Sequence, residues 1–214
     1  LENNKYFSFK NKIVLITGSK GIIGNELCNF FLELGAIVFG IDSKEKSVKN
    51  SKYTHFKGNV ANDRFIFNKL SLIIKKHSKI DIILNCAAIS IFSHFEKRTK
   101  KEIDQTINVN LIGTHNVIKN YVKLHTKKKL QSSRIINFGS IYGTNSPDFR
   151  IYGKNDNFNS EIYGATKASI IQLTKYYSVI LSKLNINVNC LSPGGVYNSK
   201  KPQSHSFLKK YKKK

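Results

Sequence analysis

The sequence predicts an α/β protein: a doubly wound, mostly parallel sheet of about six strands with helices on both faces. Three observations carry this reading. Short runs rich in Ile, Val, Leu and Phe alternate with longer stretches whose apolar residues recur at helical spacing. The short runs are continuous rather than alternating in hydrophobicity, as strands covered on both faces must be. A cluster of glycines directly follows the first run, where a strand must turn sharply into a helix.

Taken in order, residues 12–17 read as the first strand and 22–34 as the first helix. That helix carries an apolar stripe of Ile22, Ile23, Leu27, Phe30, Phe31 and Leu34, which reads as core contact with the sheet. Strands at 36–42 and 54–60 precede a helix at 63–77, and a strand at 81–87 precedes a longer helical stretch at 100–124. Strand 134–139 leads into a polar, turn-rich stretch at 144–160, expected to be a loop. A helix at 162–184 and a strand at 187–191 complete the pattern. No linker or internal repeat divides the chain, so residues 1–214 read as one domain, with a recognisable core at 12–196 and a basic tail at 197–214. After "SPGGVY" no further apolar run follows, so the final strand of the sheet is expected to be missing. The chain starts at Leu1 and contains no methionine, which fits a fragment or a processed product.

Composition narrows the function classes. At 40% hydrophobic and 11% aromatic the chain has a globular composition. No apolar run reaches the length of a membrane span, so no membrane partner is expected. Three cysteines, Cys28, Cys86 and Cys190, are odd in number and lack metal-ligand spacing. They read as apolar residues in a reducing compartment, and a cytoplasmic location is expected. The six histidines show no ligand spacing either, so no metal is expected. The formal charge of +23 would attract nucleic acid. Only Arg64, Arg98, Arg134 and Arg150 are arginine, however, and the other 32 basic residues are lysine. Base readers favour arginine forks with interleaved aromatics, so nucleic-acid binding is not expected.

The motifs lie at the ends of the strands, where open parallel sheets bind ligands. "TGSKGIIG" places Gly18, Gly21 and Gly24 between the first strand and the first helix. The backbone there can approach a pyrophosphate closely, and the helix amino terminus favours the anion. Asp42 ends the second strand, where a carboxylate can accept both ribose hydroxyls of an adenosine and repel a 2′-phosphate. Lys44 and Lys46 follow it closely. "NCAA" ends the fourth strand with small residues, and its Asn85 can tie neighbouring strands together. "EIYGATKASI" holds Tyr163 and Lys167 four apart, on one face of a helix. The bare spacing also occurs at Tyr6/Lys10, Tyr53/Lys57 and Tyr197/Lys201. Only the pair at 163 and 167 lies between a strand ending in Gly-Ser and a strand ending in Pro-Gly.

These motifs, with "INVNLIGT", "INFGSIYG" and "VNCLSPGG", resemble the short-chain dehydrogenase/reductase family over about residues 12–195. The resemblance implies a Rossmann fold and an oxidoreductase that uses NAD rather than NADP. It gives Asn110, Ser140, Tyr163 and Lys167 the catalytic places. Pro193, Gly194 and Val196 would line the nicotinamide carboxamide. The cofactor's surroundings would also take in Ser19 and Ile23 from the glycine turn, and Asn59 and Val60 after the third strand. Asn85 and Ala87 would join them from the fourth strand, beside Tyr163 and Lys167. Tyr163 would exchange the proton of a substrate hydroxyl, with its phenolate favoured by Lys167, and Ser140 would hydrogen-bond the substrate oxygen. Asn110 would hold a water leading from Lys167 to solvent. The substrate would be a small secondary alcohol or ketone, a sugar derivative among the candidates, and the full-length protein a homo-oligomer. "GSIYG" to "LTKYY" is most similar to compact-branch oxidoreductases of surface-sugar and flagellin-modification pathways.

Three departures from the compact pattern stand out. The second glycine comes one place early, so that Ile22 stands in its usual position, as in the extended branch. Cys86 and Ala88 replace the usual Asn and Gly of the fourth strand's signature. Ser140 and Tyr163 are 23 positions apart, an insertion relative to the compact pattern. Two other readings therefore stand beside the leading one: a nucleotide-sugar epimerase or dehydratase, and a non-catalytic basic binding module.

Overall fold

The computed structural model describes residues 8–45, 48–152, 159–198, 202 and 204–213. These residues form a six-stranded parallel sheet in the order β3-β2-β1-β4-β5-β6. The strands are β1 (Ile13–Thr17), β2 (Ile37–Asp42), β3 (Tyr53–Lys57), β4 (Ile82–Asn85), β5 (Ser133–Phe138) and β6 (Ile186–Leu191). All six lie close to the predicted runs. The order reverses between β1 and β4, which opens a crevice at the carboxyl ends of the strands.

Alternate residues of β1 serve two cores. Ile13 and Leu15 face the larger one, with Ile66, Leu70, Ile118 and Tyr121 of helices α2 (Asp63–His77) and α4 (Gly113–Lys128). Val14 and Ile16 face the smaller one, with Cys28, Phe31 and Leu32 of α1 (Ile22–Glu33). Every residue of β1 is therefore buried, which explains its unbroken apolar sequence. β6 differs. Ile186 and Val188 are buried, whereas Asn187, Asn189 and Leu191 are exposed. The sequence of β6 does alternate, and the expectation of continuous burial fails there because the second face of this edge strand has no helix over it among the described residues.

The stripe predicted for α1 is rotated. Gly24, Cys28, Phe31 and Leu32 make the buried line, Ile23, Leu27 and Phe30 are half-buried, and Ile22 is 47% exposed. Gly24 packs against the preceding turn, and this draws the helix onto the sheet along its small residues instead.

The predicted helix at 100–124 is two helices, α3 (Lys100–Ile107) and α4, joined by a π-helical turn at Asn108–Ile112. α3 opens with a capping box between Thr99 and Glu102. α5 (Glu161–Leu181) begins at its Ser160 cap and packs against β5 and β6. The stretch at 144–160 contains a short 3-10 turn, Phe149–Ile151, and its residues 153–158 lie outside the described residues. The tail contains a further helix, α6 (His205–Tyr211), capped by Ser204. Its apolar residues Phe207, Leu208 and Tyr211 were legible at helical spacing but were overshadowed by the surrounding lysines.

Candidate active site

Two cavities open along the carboxyl ends of the strands and share Cys86 and Ala88, so they form one trough across the switch point. The smaller, of about 320 Å³, lies over β1 and β2 and is lined by Gly18, Gly21, Asp42, Asn59, Val60 and Ala87. The larger, of about 820 Å³, lies beyond β4 and holds Ser140, Tyr163 and Lys167, with Pro193, Gly194 and Val196. Ile23 lines it from the first turn of α1.

Backbone shapes the smaller cavity. Gly18 has φ +67°, and a side chain there would put its Cβ 2.7 Å from Ala87 Cα. A Cβ on Gly24 would lie 2.1 Å from the Gly18 carbonyl oxygen, so only glycine lets α1 start this close to the turn. Asp42 accepts from two backbone amides, Lys20 N at Oδ2 and Lys44 N at Oδ1, both at 2.9 Å. Its carboxylate is thereby fixed between the glycine turn and the segment after β2. Lys44 stands on the same wall, and Lys46 lies outside the described residues.

Three of the expected cofactor residues lie behind the wall. Ser19 is fully buried, and its Oγ accepts from the Tyr53 hydroxyl at 3.2 Å. Gly24 packs on Gly18. Asn85 donates through Nδ2 to Asn137 Oδ1 at 2.9 Å and so ties β4 to β5, as its sequence position suggested. These residues shape the floor that a ligand would rest on.

The chemistry of the larger cavity comes from three elements. Ser140 follows β5 and is almost buried, with its Oγ accepting from Tyr142 N at 3.1 Å. Tyr163 lies in the first turn of α5, where the Ser160 cap accepts its backbone N–H at 3.0 Å. Lys167 follows one turn later, only 4% exposed, with Nζ 5.6 Å from the centre of the Tyr163 ring. The helical spacing thus brings the pair together as predicted. The electrostatics differ from expectation. Burial raises the Tyr163 phenol above its ordinary value, and the Ser140 hydrogen bond opposes that. Burial also pushes Lys167 down to about 8, with Cys86 and Cys190 acting in the other direction. The lysine ammonium donates to the Phe138 carbonyl at 2.6 Å instead of reaching the phenol oxygen. Burial therefore favours the neutral form of the Tyr163 phenol.

Asn110 is buried inside the π-helical turn. Its Oδ1 accepts from Ile89 N at 2.8 Å, and its Nδ2 donates to Ile89 O at 3.0 Å and Thr166 Oγ1 at 3.1 Å. It therefore clamps the segment after β4 to the helix that carries Lys167. Such π turns recur at functional positions because the extra residue redirects a side chain.

The competing Tyr/Lys pairs are not sites of this kind. Tyr53 and Lys57 lie in a strand, where four residues span about 13 Å. Tyr53 turns inward to Ser19 while Lys57 pairs with Glu45. Tyr6 and Lys201 lie outside the described residues.

Sequence reasoning missed most of the rim of the larger cavity. Phe92, Tyr142, Tyr152, Asn159, Phe207 and Tyr211 all line it. The Tyr142 and Tyr152 hydroxyls are 2.8 Å apart, and the Tyr152 ring meets Phe207 with centroids 5.2 Å apart. Tyr211 stacks on Phe207, and its hydroxyl accepts Gly195 N at 2.8 Å. α6 therefore sits beside the "SPGG" segment. For five of these six rim residues the signal in the sequence was aromatic content.

A strand-end trough with a glycine turn at one end and a Ser, Tyr and Lys group at the other defines a nicotinamide-dependent oxidoreductase site. Comparison with known proteins is in accord. The short chain dehydrogenase family profile matches residues 12–206. Among curated relatives, an uncharacterized oxidoreductase of Schizosaccharomyces pombe is 30% identical over 88% of this chain and 69% of its own length. The post-translational flagellin modification protein A of Campylobacter coli is 30% identical over 95% of this chain and 83% of its own. A short chain dehydrogenase of Leptospira borgpetersenii, solved with bound NAD+, is 35% identical with a TM-score of 0.88, covering 99% of this chain and 80% of that one. The chain belongs to the short-chain dehydrogenase/reductase family and is an oxidoreductase. The epimerase and binding-module readings are not favoured by these matches. Among the described residues, no helix is long and apolar enough to cross a membrane.

Proposed function

We propose that this enzyme prefers NAD and transfers hydride between its nicotinamide and a secondary alcohol or ketone, the favoured substrate being a sugar derivative. One observation carries the reading: a single trough has the Asp42 carboxylate at one end and Ser140, Tyr163 and Lys167 at the other. The residues suit a dinucleotide, because added Cβ atoms at Gly18 and Gly24 would fill the turn that cradles its pyrophosphate. Asn59, Val60 and Ala87 would contact the adenosine half, and Pro193, Gly194 and Val196 the nicotinamide half. When bound, the dinucleotide supplies the hydride chemistry itself. In reduction Tyr163 gives its proton to the substrate oxygen, and in oxidation it takes that proton back. Ser140 holds the same oxygen and stabilises charge developing on it. Lys167 brings positive charge to the phenol side, so the deprotonated Tyr163 costs less than burial alone would demand. Asn110 keeps the segment after β4 against α5, and a water beside it would lead protons from Lys167 to solvent.

The sugar preference is supported by the aromatic rim of Tyr142, Tyr152 and Phe207, whose ring faces suit the apolar face of a sugar, while the Tyr142 and Tyr152 hydroxyls suit its polar edge. The free thiols of Cys28, Cys86 and Cys190 suit a cytoplasmic location. Exposed Tyr176, Val179 and Ile180 on α5 suit assembly as a homo-oligomer, which sedimentation would test.

The test follows nicotinamide absorbance with sugar, polyol and 3-oxoacyl ester probes, using NAD and NADP in turn. Higher kcat/KM with NAD, lost by about 10- to 100-fold in Asp42→Ala, is the expected result. A wild-type preference for NADP would show that Lys44 and its neighbours outweigh Asp42.

A further inference from the structure

The segment between β4 and α3 forms the substrate-side wall of the large cavity, with Ala88 and Phe92 facing into it. Among the described residues its outer half has little apolar anchoring, with Phe92 and Phe95 51% and 63% exposed. Polar groups hold it instead. Asn110 takes both backbone groups of Ile89, and Ser90 Oγ donates to Asn159 Oδ1 at 2.8 Å. A further anchor is Arg98, whose side chain is only 3% exposed.

Arg98 uses its whole fork. Nη1 donates to the Ile91 carbonyl at 3.1 Å and to Ser93 Oγ at 2.9 Å, and Nη2 donates to the Ser93 carbonyl at 2.5 Å. On the other side Nε donates to Glu161 Oε1 at 2.7 Å, and Nη2 reaches Oε2 at 3.3 Å. The backbone of Arg98 is itself fixed, with its N–H on the Phe95 carbonyl at 3.2 Å and the Thr99 cap of α3 following directly. Glu161 opens α5, two residues before Tyr163. One guanidinium therefore joins the wall of the cavity to the helical turn that carries the proton donor. In a chain with 32 lysines and four arginines, an arginine stands where a planar fork is required.

We propose that Arg98 is a positioning residue that sets the Phe92 wall against Tyr163, and so governs how tightly substrate is held. It acts through Ile91, Ser93 and Glu161 and touches no reacting atom. Cofactor affinity should change little, because the glycine turn and Asp42, which would hold the adenosine half, lie in the other cavity. The inference rests on the oxidoreductase reading for its kinetic test and on geometry alone for its structural one.

Two measurements on Arg98→Gln and Arg98→Lys decide it. Hydrogen exchange read by mass spectrometry needs no substrate. Residues 89–98 and the first turn of α5 should exchange at least 10-fold faster in both variants, with the strands unchanged. In kinetics with whichever sugar, polyol or ester probe the wild type turns over, substrate KM should rise about 10-fold, while kcat and the KM for NAD stay within about 3-fold. Arg98→Lys should not rescue, since an ammonium cannot span the carboxylate and both carbonyls together. Unchanged exchange in 89–98, or a fall in kcat with substrate KM constant, would overturn the proposal. Should the wild type turn over no probe, the proposed function fails, and exchange alone decides the role of Arg98.

Discussion

The two ends of the trough are built from different materials. At the Asp42 end, backbone forms the surface: a left-handed Gly18, the close seat of Gly24 and amide donors from Lys20 and Lys44. At the Tyr163 end, side chains form it, brought together from the segment after β4, the turn after β5, α5 and the far helix α6. A backbone-built surface tolerates most changes except the addition of atoms. A side-chain-built surface tolerates neighbours and fails on removal of single groups. The comparison teaches where each half is vulnerable, and it can be broken experimentally.

The largest effect should come from Tyr163→Phe. It deletes one hydroxyl and little packing, so turnover should fall by about 10²- to 10⁴-fold, the usual worth of a positioned proton donor. Dinucleotide affinity, read by fluorescence titration, should stay within about 2-fold. Near-normal turnover would mean that the side-chain end is structural. Gly24→Ala is the matching change at the other end. A Cβ 2.1 Å from the Gly18 carbonyl must displace backbone, at a cost of about 1–3 kcal/mol, typical of overpacking. Affinity for the dinucleotide should drop at least about 10-fold, while Gly24→Ala that binds normally would show the turn to be more pliant than its geometry.

A smaller effect, with a definite sign, concerns Lys167. Its folded pKa of about 8 lies below the ordinary lysine value of 10.5. Burial of the charged form is thus a penalty that is fully present below pH 8 and relieved as pH rises toward 10.5, where the folded protein has already released its proton. Wild type should therefore gain stability relative to Lys167→Met across that window, by at most ~3 kcal/mol. Urea midpoints of both proteins at pH 7, 9 and 10 measure it. A constant difference would mean that the ammonium is better solvated than its burial implies. The smallest effect expected is that of Tyr211→Phe, which loses only the bond from Gly195 N. Substrate KM should rise by about 2- to 5-fold, as one neutral hydrogen bond of about 1 kcal/mol allows.

The same contrast explains what the sequence could disclose. Strands β1, β2 and β4 announce themselves because burial on two faces fills their centres with apolar residues. The glycine turn is legible because a positive φ and a close seat exclude everything else. Tyr163 and Lys167 are legible because both sit on one helix, where spacing fixes geometry. Phe207 and Phe92 are not, since no local rule says that residues more than a hundred positions apart will face one cavity. The rotated stripe of α1 escaped for a related reason: a helix with apolar residues on most sides lets tertiary contact choose the buried line. Spacing shows that Tyr163 and Lys167 share a face, but it cannot reveal that the Lys167 ammonium also engages the Phe138 carbonyl.

The π-helical turn at Asn108–Ile112 has a consequence for which changes this protein can accept. An α-helix advances about 100° per residue, so the one surplus residue there offsets everything after it by that angle. α3 and α4 are consequently out of phase with each other, and Val117, Tyr121 and Leu124 meet the sheet only because of the offset. Exchanging one residue for another in this stretch leaves the phase intact. Removing a single residue would straighten the helix, swing Asn110 away from Ile89 and turn the apolar side of α4 toward water. This part of the chain is therefore written in a reading frame of its own, one that forgives misspelling far more readily than omission.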